Sequence, residues 1–456
     1  MHNHFQNMAD KDYDSDESEE VQEENLKEEK IDEPQEDTTL ANPDVVTKYQ
    51  EAAKIAQAVL LEVIPRLTSG AKIVDICRFG DELIEQKTST IYKGKSKSGK
   101  VILKGVAFPV CISVNDVICH SSPLESDETY PVLAEGDLVK IDLGVHVDGF
   151  IAVVAHTVVV GGDGALTPEQ IEVRNNVISA AYTAAEVAVR LMKPGNTNNQ
   201  VTQAIKQVAE AFDVRPISGS IMHQMKQYVI DANKMILLRD EPEQKIEACT
   251  FEVGEIYAID VAMSSGEGKP VEKGNRTTVF KRAVDKKYAL KNKSSRQFFN
   301  DVNKRFPTLP FSIRSLPDEK AAKLGVRECV NHDLLLPYPV LHEKRGDFVA
   351  HVKVTVLLLP SGNTAQITGL PPFTYIQAIQ SQSNEKGEPV SVEADIDKKL
   401  SASLPIGLTL SKVLQEKKSV SLPEPVVELL QQVPVESKKK AKKAAKKAAA
   451  KAEEAK

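Results

Sequence analysis

The chain has 456 residues, of which 41% are hydrophobic, so it can build one large domain or two smaller ones around a sizeable core. Its five cysteines are scattered without the close spacing of a zinc motif, and a sparse, odd set is typical of a reducing cytosolic or nuclear compartment. We find no apolar signal segment and no stretch long enough to span a bilayer, so no membrane association is expected.

The formal net charge of −7 hides a strong asymmetry between the two ends of the chain. Residues 10–37 carry fifteen acidic residues against three lysines, whereas residues 436–456 carry nine lysines against three glutamates. The part between them is nearly neutral. Residues 1–41 lack periodic apolar positions, so we predict a disordered acidic arm, and residues 436–456 form a Lys-rich tail that we also expect to be disordered when free.

Capping signals predict the starts of two long helices. Asn42-Pro43 places a cap and a first-turn proline before apolar residues at helical spacing that continue through Val63. Thr167-Pro168-Glu169-Gln170 is a capping box that opens a second helix, which should end before Pro194. A third helix is predicted at about 200–212. Strands are indicated at 106–114, 138–160, 217–230, 250–263 and 348–359.

The pair Asp148-Gly149 lies between two alternating apolar runs and predicts a two-residue hairpin turn. With that turn, residue 142 faces residue 155. Asp142 and Val153 then lie on the same face of the hairpin as diagonal neighbours. Long antiparallel segments alternating with helices indicate an α+β fold.

Several segments together resemble a known family. These are 107–109 (Ala-Phe-Pro), 136–157 (GDLVKIDLGVHVDGFIAVVAHT), the stretch 220–229 around His223, 257–260 (Tyr-Ala-Ile-Asp) and the strand 351–358 that carries Lys353. The chain resembles type 2 methionine aminopeptidases over about residues 44–370, and it resembles more closely their non-peptidase branch, the proliferation-associated (ErbB-binding) proteins.

The resemblance implies a pita-bread fold, in which two related αβ halves surround a curved sheet with a pocket between them. It places this domain at 42–372, with a helical insertion at about 281–331 in the second half. The composition of residues 373–435 predicts a polar linker with a short apolar patch at 426–430. The patch resembles the LxxLL docking helix of nuclear co-regulators, but it starts with Val, so coincidence is the simpler explanation.

The resembled peptidases bind two metal ions through two Asp, one His and two Glu. By position these ligands map to Asp142, Val153, His223, Asp260 and Lys353. Valine offers no ligand atom, and an ammonium ~4 Å from a dication would cost about 8 kcal/mol at an effective dielectric near 20. We therefore predict no metal, no cofactor and no catalysis.

The same map predicts what replaces the metals. We expect Lys353 to form a buried ion pair with Asp142, with Asp260 or with both. His120 matches a position where the peptidases grip substrate, and Asp231 stands where they have a second histidine.

Three basic regions indicate nucleic-acid binding, because Lys and Arg clusters neutralise phosphates and release counterions. They are the insertion, the loop after residue 90 and the tail, with the candidate residues Lys281, Arg282, Lys286, Lys287, Lys291, Lys293, Arg296, Lys304, Arg305, Lys93, Lys95, Lys97, Lys438, Lys439 and Lys440. Each cluster alone is explained more simply as a solvated charged face. Three such clusters around a nearly neutral body favour the interpretation that the protein binds RNA.

The resembled family binds ribosomes, including the large subunit near the exit tunnel, and structured RNA, in cytoplasm and nucleolus. The interpretation is accordingly a non-catalytic, aminopeptidase-like protein that binds RNA and ribosomes in the cytoplasm and nucleus. The first alternative is a transcriptional co-regulator or protein scaffold with nuclear co-regulator partners. The second is an active metalloaminopeptidase that uses Asp142, His223 and Asp260 alone.

Overall fold

A computed structural model describes residues 37–95, 99–127, 131–369 and 422–432. Most of the acidic arm, most of the linker and the whole Lys-rich tail lie outside these described residues. No helix in the described part is both long enough and apolar enough to span a membrane.

The helices follow the capping signals of the sequence. Asn42 Oδ1 accepts a hydrogen bond from the amide of Asp44 at 3.0 Å, and the Thr167–Gln170 capping box is closed in both directions. Both predicted starts are confirmed. The α-helices of the described part are α1 (Pro43–Val63), α2 (Ile73–Ser89), α3 (Pro168–Leu191), α4 (Asn198–Ala211), α5 (Lys293–Arg305), α6 (Glu319–Asn331) and α7 (Glu424–Gln431).

Helix α2 was not predicted from the sequence. Its cap, Lys72, makes no side-chain capping bond, and Gly80 interrupts its helical pattern. The glycine has a packing reason: a Cβ on Gly80 would come within 2.8 Å of Val110 Cγ2, so the helix can approach its neighbouring strand only without a side chain there. Tertiary packing overrides a weak local signal in this segment.

The described strands are β1 (Lys104–Val114), β2 (Val117–Cys119), β3 (Leu138–Val147), β4 (Phe150–Val159), β5 (Arg215–Pro216), β6 (Ile221–Met225), β7 (Met235–Leu237), β8 (Ile256–Ser264), β9 (Val271–Glu272), β10 (Val279–Arg282), β11 (Phe311–Ser312), β12 (Leu335–Tyr338), β13 (Leu341–His342), β14 (Val349–Leu358) and β15 (Thr364–Gln366). Nine of them form one antiparallel sheet with the path β1-β3-β4-β14-β8-β6-β7, to which β15 and β5 add at β14 and β8. The predicted strand at 217–230 is shorter in the structure, because only β6 pairs regularly.

The two long strands β3 and β4 form the predicted hairpin. Asp148 and Gly149 both have positive φ (56° and 75°), which the turn requires, and Asp142 faces Ala155. Helices α1 and α2 cover one part of the large sheet and helices α3 and α4 cover another, each with its own apolar cluster. The fold class is α+β, as predicted.

The segment expected to be a helical insertion contains two helices and is joined by short strands. Helices α5 and α6 pack against each other, and a separate three-stranded sheet of order β11-β10-β12 accompanies them. These strands have two to four residues each, too few for an alternating pattern to appear in the sequence. The patch at 426–430 forms α7, which packs on α3 with Val426 fully buried.

Candidate functional site

A cavity of about 300 Å³ brings together side chains that are far apart in the sequence. Its walls come from β1 to β4, β6, β8, β12, β13 and β14. All seven pocket positions predicted from the sequence line it, namely Asp142, Val153, His223, Asp260, Lys353, His120 and Asp231.

The register of the large sheet explains why these residues meet. Lys353 on β14 lies opposite Asp260 on β8 and opposite Ala155 on β4, and Ala155 in turn lies opposite Asp142 on β3. Residues that face each other across antiparallel strands project from the same side of the sheet. The small side chain of Ala155 leaves the space through which Lys353 reaches Asp142.

Lys353 makes an ion pair with both carboxylates, so the predicted pairing is confirmed. Its Nζ donates to Asp142 Oδ2 at 2.7 Å and lies 3.1 Å from Asp260 Oδ2. The Lys353 and Asp142 side chains are only 11% and 6% exposed, so water screens this pair little.

The electrostatics of this ion pair favour the charged forms. Burial alone would lower the pKa of Lys353, but the carboxylates of Asp142 and Asp260 outweigh it and hold that pKa well above its ordinary value. Burial alone would raise the pKa of Asp260, but the Lys353 ammonium, followed by His351, holds it well below its usual range. The cavity therefore contains a fixed positive charge between two negative charges at neutral pH.

His351 belongs to the site and was not identified from the sequence. Its Nε2 lies 2.5 Å from Asp260 Oδ1, and its backbone amide donates to the hydroxyl of Thr157 at 2.8 Å. The strand pattern could have identified His351, because it is two residues before Lys353 and alternate residues of a strand share one face.

The two positions at which the resembled peptidases grip substrate, His120 and Asp231, bind other groups of the protein. His120 has a positive φ of 65°, and its Nδ1 donates to the carbonyl of Pro339 at 3.0 Å. Burial lowers the pKa of His120, which favours the neutral ring. Asp231 forms an ion pair with Lys281 of the insertion.

The donor set does not fit a two-metal centre. Of the five mapped positions only Asp142, His223 and Asp260 can offer a lone pair to a metal, because Val153 is apolar and the Lys353 nitrogen is a protonated ammonium that both carboxylates already bind. Within residues 37–369 and 422–432, apart from the two short gaps, no three His, Cys, Asp or Glu side chains are grouped so that they could hold a metal ion. A dication here would lie beside a buried ammonium with no carboxylate bridge.

Some of the candidate RNA-binding residues already bind other groups of the protein, and others are exposed lysines and arginines. Lys281 binds Asp231, Arg282 donates to the carbonyl of Pro307 at 3.3 Å, and Arg296 donates to the carbonyl of Lys291 at 2.7 Å. The exposed lysines are Lys93, Lys95, Lys286, Lys287, Lys291, Lys293 and Lys304, and Arg305 is exposed near Phe306. Lys97, Lys438, Lys439 and Lys440 lie outside the described residues.

Comparison with known proteins places this site in a family. The model of metallopeptidase family M24 matches residues 47–275. A solved structure described as that of a thermophilic Arx1 superposes with a TM-score of 0.69 at 28% identity, covering 86% of this chain and 99% of that one. The chain therefore has the pita-bread fold of the M24 proteins, as the resemblance implied.

Two curated relatives indicate the branch of the M24 family to which the chain belongs. The "ErbB-3 binding protein 1" of Solanum tuberosum is 51% identical over 325 residues, which cover 71% of this chain and 81% of the relative. The "curved DNA-binding protein" of Schizosaccharomyces pombe is 35% identical over 386 residues, which cover 84% of this chain and 96% of the relative. The chain belongs to the proliferation-associated, ErbB-3-binding branch of the M24 family.

Proposed function

We propose that this chain is a non-catalytic M24 protein that binds structured RNA and the large ribosomal subunit. We place it in the cytoplasm and the nucleus, including the nucleolus, and expect it to act on translation or ribosome biogenesis. The observation that carries the non-catalytic half is the Lys353 ammonium, held between Asp142 and Asp260 where the peptidases would need a bridging carboxylate.

Both the charge and the ligands of the cavity are unsuited to catalysis. A metallopeptidase needs a metal-bound water and a Lewis acid. With Val153 apolar and Lys353 cationic, the cavity has neither the ligands nor the negative charge for two dications. The alternative of an active enzyme would require a metal to displace Lys353 from both carboxylates and leave that ammonium buried without a partner.

The binding half of the proposal rests on exposed lysines without strong internal partners. Lys286, Lys287, Lys291 and Lys293 follow one another on the surface of the insertion, and Lys93 and Lys95 lie in the loop after α2. Such runs favour phosphates and read little sequence. The name of the fission-yeast relative describes a DNA-binding protein, and DNA offers the same phosphates that are proposed as the contacts of the lysines here.

Co-sedimentation with ribosomes across a salt series tests this proposal. Replacing Lys286, Lys287, Lys291 and Lys293 with Glu should abolish binding, whereas the parent should lose affinity steeply as salt rises. A matched control reverses four exposed lysines outside the insertion, Lys54, Lys206, Lys245 and Lys269, and should bind almost as the parent does. Equal binding by the two charge-reversed proteins would refute the assignment to the insertion.

The co-regulator or scaffold alternative makes a different prediction. Its best docking segment, α7, has Val426 buried and Leu429 and Leu430 packed on the cluster around α3, so it would have to leave the body before a partner could use it. Complexes formed through protein contacts would survive ribonuclease and high salt, while those proposed here would not. The name of the potato relative describes a protein that binds another protein, which supports this alternative.

A further inference from the structure

Tyr288 is an exposed aromatic ring in the middle of the basic surface. It is 38% exposed, and its ring stacks on that of His332 with a centroid distance of 3.5 Å and an interplanar angle of 14°. His332 caps the end of α6, so one face of the tyrosine is supported by the helix pair.

The other aromatic residues of the insertion are committed to its core. Phe298 is 4% exposed, and Phe306 stacks on Phe311 with a centroid distance of 5.0 Å. Phe299 packs on the same cluster beneath the guanidinium of Arg282. Tyr288 differs from these rings because it is exposed and does not belong to their apolar cluster, so a partner from solution can reach it.

The loop that carries Tyr288 is fixed at both ends. Before the tyrosine, the amide of Ala283 donates to the carbonyl of Leu334 at 2.9 Å. After it, Leu290 is buried, and the amide of Lys291 donates to Glu328 Oε1 at 2.8 Å. A ring on a fixed loop loses little conformational entropy when a flat ligand stacks on it.

The charge around the ring matches a phosphate chain. Lys286 and Lys287 precede Tyr288 and Lys291 and Lys293 follow it, and all four are exposed. Two acidic side chains nearby offset this positive charge only in part. Asp285 lies 3.8 Å from Lys286, and the Glu328 carboxylate accepts hydrogen bonds from the start of α5. An occupant with a flat ring and a negatively charged backbone fits this surface.

We propose that Tyr288, supported by His332, is a stacking platform for an unpaired base of RNA whose phosphates contact the flanking lysines. The inference rests on the proposed RNA binding and adds what the lysines cannot provide, a preference for single-stranded segments. Stacking tolerates any base, because every base has a π face. A fully paired duplex hides its bases and offers only phosphates.

Binding to two RNA probes of equal phosphate number tests the platform with the full chain. One probe is an oligouridylate and the other a perfectly paired duplex, each titrated over a salt series. Tyr288→Leu keeps an apolar contact with His332 but removes the π face, and Tyr288→Phe keeps it. We expect Tyr288→Leu to weaken oligouridylate binding by about 5- to 150-fold, the usual range for one stacked base, with an unchanged salt slope.

The same substitution should leave duplex binding unchanged, and Tyr288→Phe should bind both probes as the parent does. Leu324→Ala, an exposed apolar change elsewhere on α6, serves as the control and should have no effect. Unchanged oligouridylate binding by Tyr288→Leu, or an equal loss on the duplex, overturns the platform. If the parent binds neither probe, the proposed function fails. If the four-lysine reversal binds as the parent does, the assignment of RNA binding to the insertion fails; if that variant loses binding, only the platform is wrong.

Discussion

The Lys353 ammonium supplies the positive charge in a cavity whose two carboxylates would otherwise attract a cation. The ammonium is within 3.1 Å of both carboxylates, and its Nζ also lies 5.3 Å from the ring centre of Phe108. Both carboxylates are thus paired with a group that cannot diffuse away. The consequences at the scale of single residues can be measured through stability and metal binding.

Removing the ammonium should destabilise the fold. Lys353→Met keeps most of the side-chain volume but leaves two carboxylates in the cavity without their partner, so we expect the free energy of unfolding to fall by about 3–5 kcal/mol. Urea denaturation measures this loss. A variant that also carries Asp142→Asn and Asp260→Asn should recover most of the stability, and a Lys353→Met protein as stable as the parent would contradict the buried pairing.

The effect should depend on pH with a defined sign. The folded pKa of Asp260 lies below its unfolded value near 3.9, so its contribution is present above about pH 4 and is lost as pH falls further. In Lys353→Met the Asp260 carboxylate keeps only His351 beside it and gains a proton more readily, so the stability difference from the parent should shrink between about pH 7 and pH 4. Lys206→Met, at an exposed pair with Glu210, should show no such trend; a constant difference for Lys353→Met would argue against the mechanism.

Restoring the two missing ligands should restore metal binding without restoring catalysis. Val153→Asp with Lys353→Glu returns two carboxylates, and we expect cobalt or manganese to bind in calorimetry and elemental analysis. Methionyl-peptide turnover should stay absent, because His120 is bound to Pro339 and Asp231 to Lys281. Val153→Asp alone, which keeps the ammonium, is the control and should stay metal-free; a double variant that binds no metal would show that other parts of the cavity exclude it.

At the scale of elements, the insertion depends on the close contact of α5 and α6. Gly325 of α6 has no room for a side chain, because a Cβ there would collide with Cβ of Phe298 on α5. Gly325→Ala improves helix propensity by up to about 1 kcal/mol, yet we expect a net loss of about 1–3 kcal/mol from overpacking. Hydrogen exchange should accelerate in α5 and α6 but not in β3 or β14.

Ala321→Gly is the matched control for this prediction. It lies on an exposed position of the same helix and lowers propensity without changing the helix contact. Its exchange should change less than that of Gly325→Ala. The opposite order would mean that propensity, and not the crossing at Phe298, limits the stability of the insertion.

These elements also show how far the sequence could be interpreted. Caps at Asn42 and Thr167 act locally, so the starts of α1 and α3 were predictable, and the Asp148-Gly149 turn determined the register that places Asp142 beside Val153. Helix α2 has no such cap, and its Gly80 is explained only by a strand thirty residues further on. The pairing of Lys281 with Asp231 joins residues 50 positions apart, so the sequence could not show which lysines of the insertion remain free.

At the scale of the whole molecule, opposite charges lie at the two ends of the chain. Residues 10–37 have fifteen acidic residues, and from their charge we expect them to compete with RNA for the exposed lysines. We expect deletion of residues 1–36 to tighten RNA binding at low salt and to have little effect at high salt, where the arm is screened. Filter binding of parent and deletion across the salt series measures this; equal affinities at low salt would show that the arm does not compete.

The Lys353 ion pair has a consequence for how the protein is made in the cell. A metal-centred relative completes its charge balance only after an ion has arrived, so its folding is linked to metal supply. Here the balancing charge is built into the polypeptide and is present as soon as β14 has paired with β8. Folding from a newly synthesised chain should therefore proceed equally well under chelation or metal starvation.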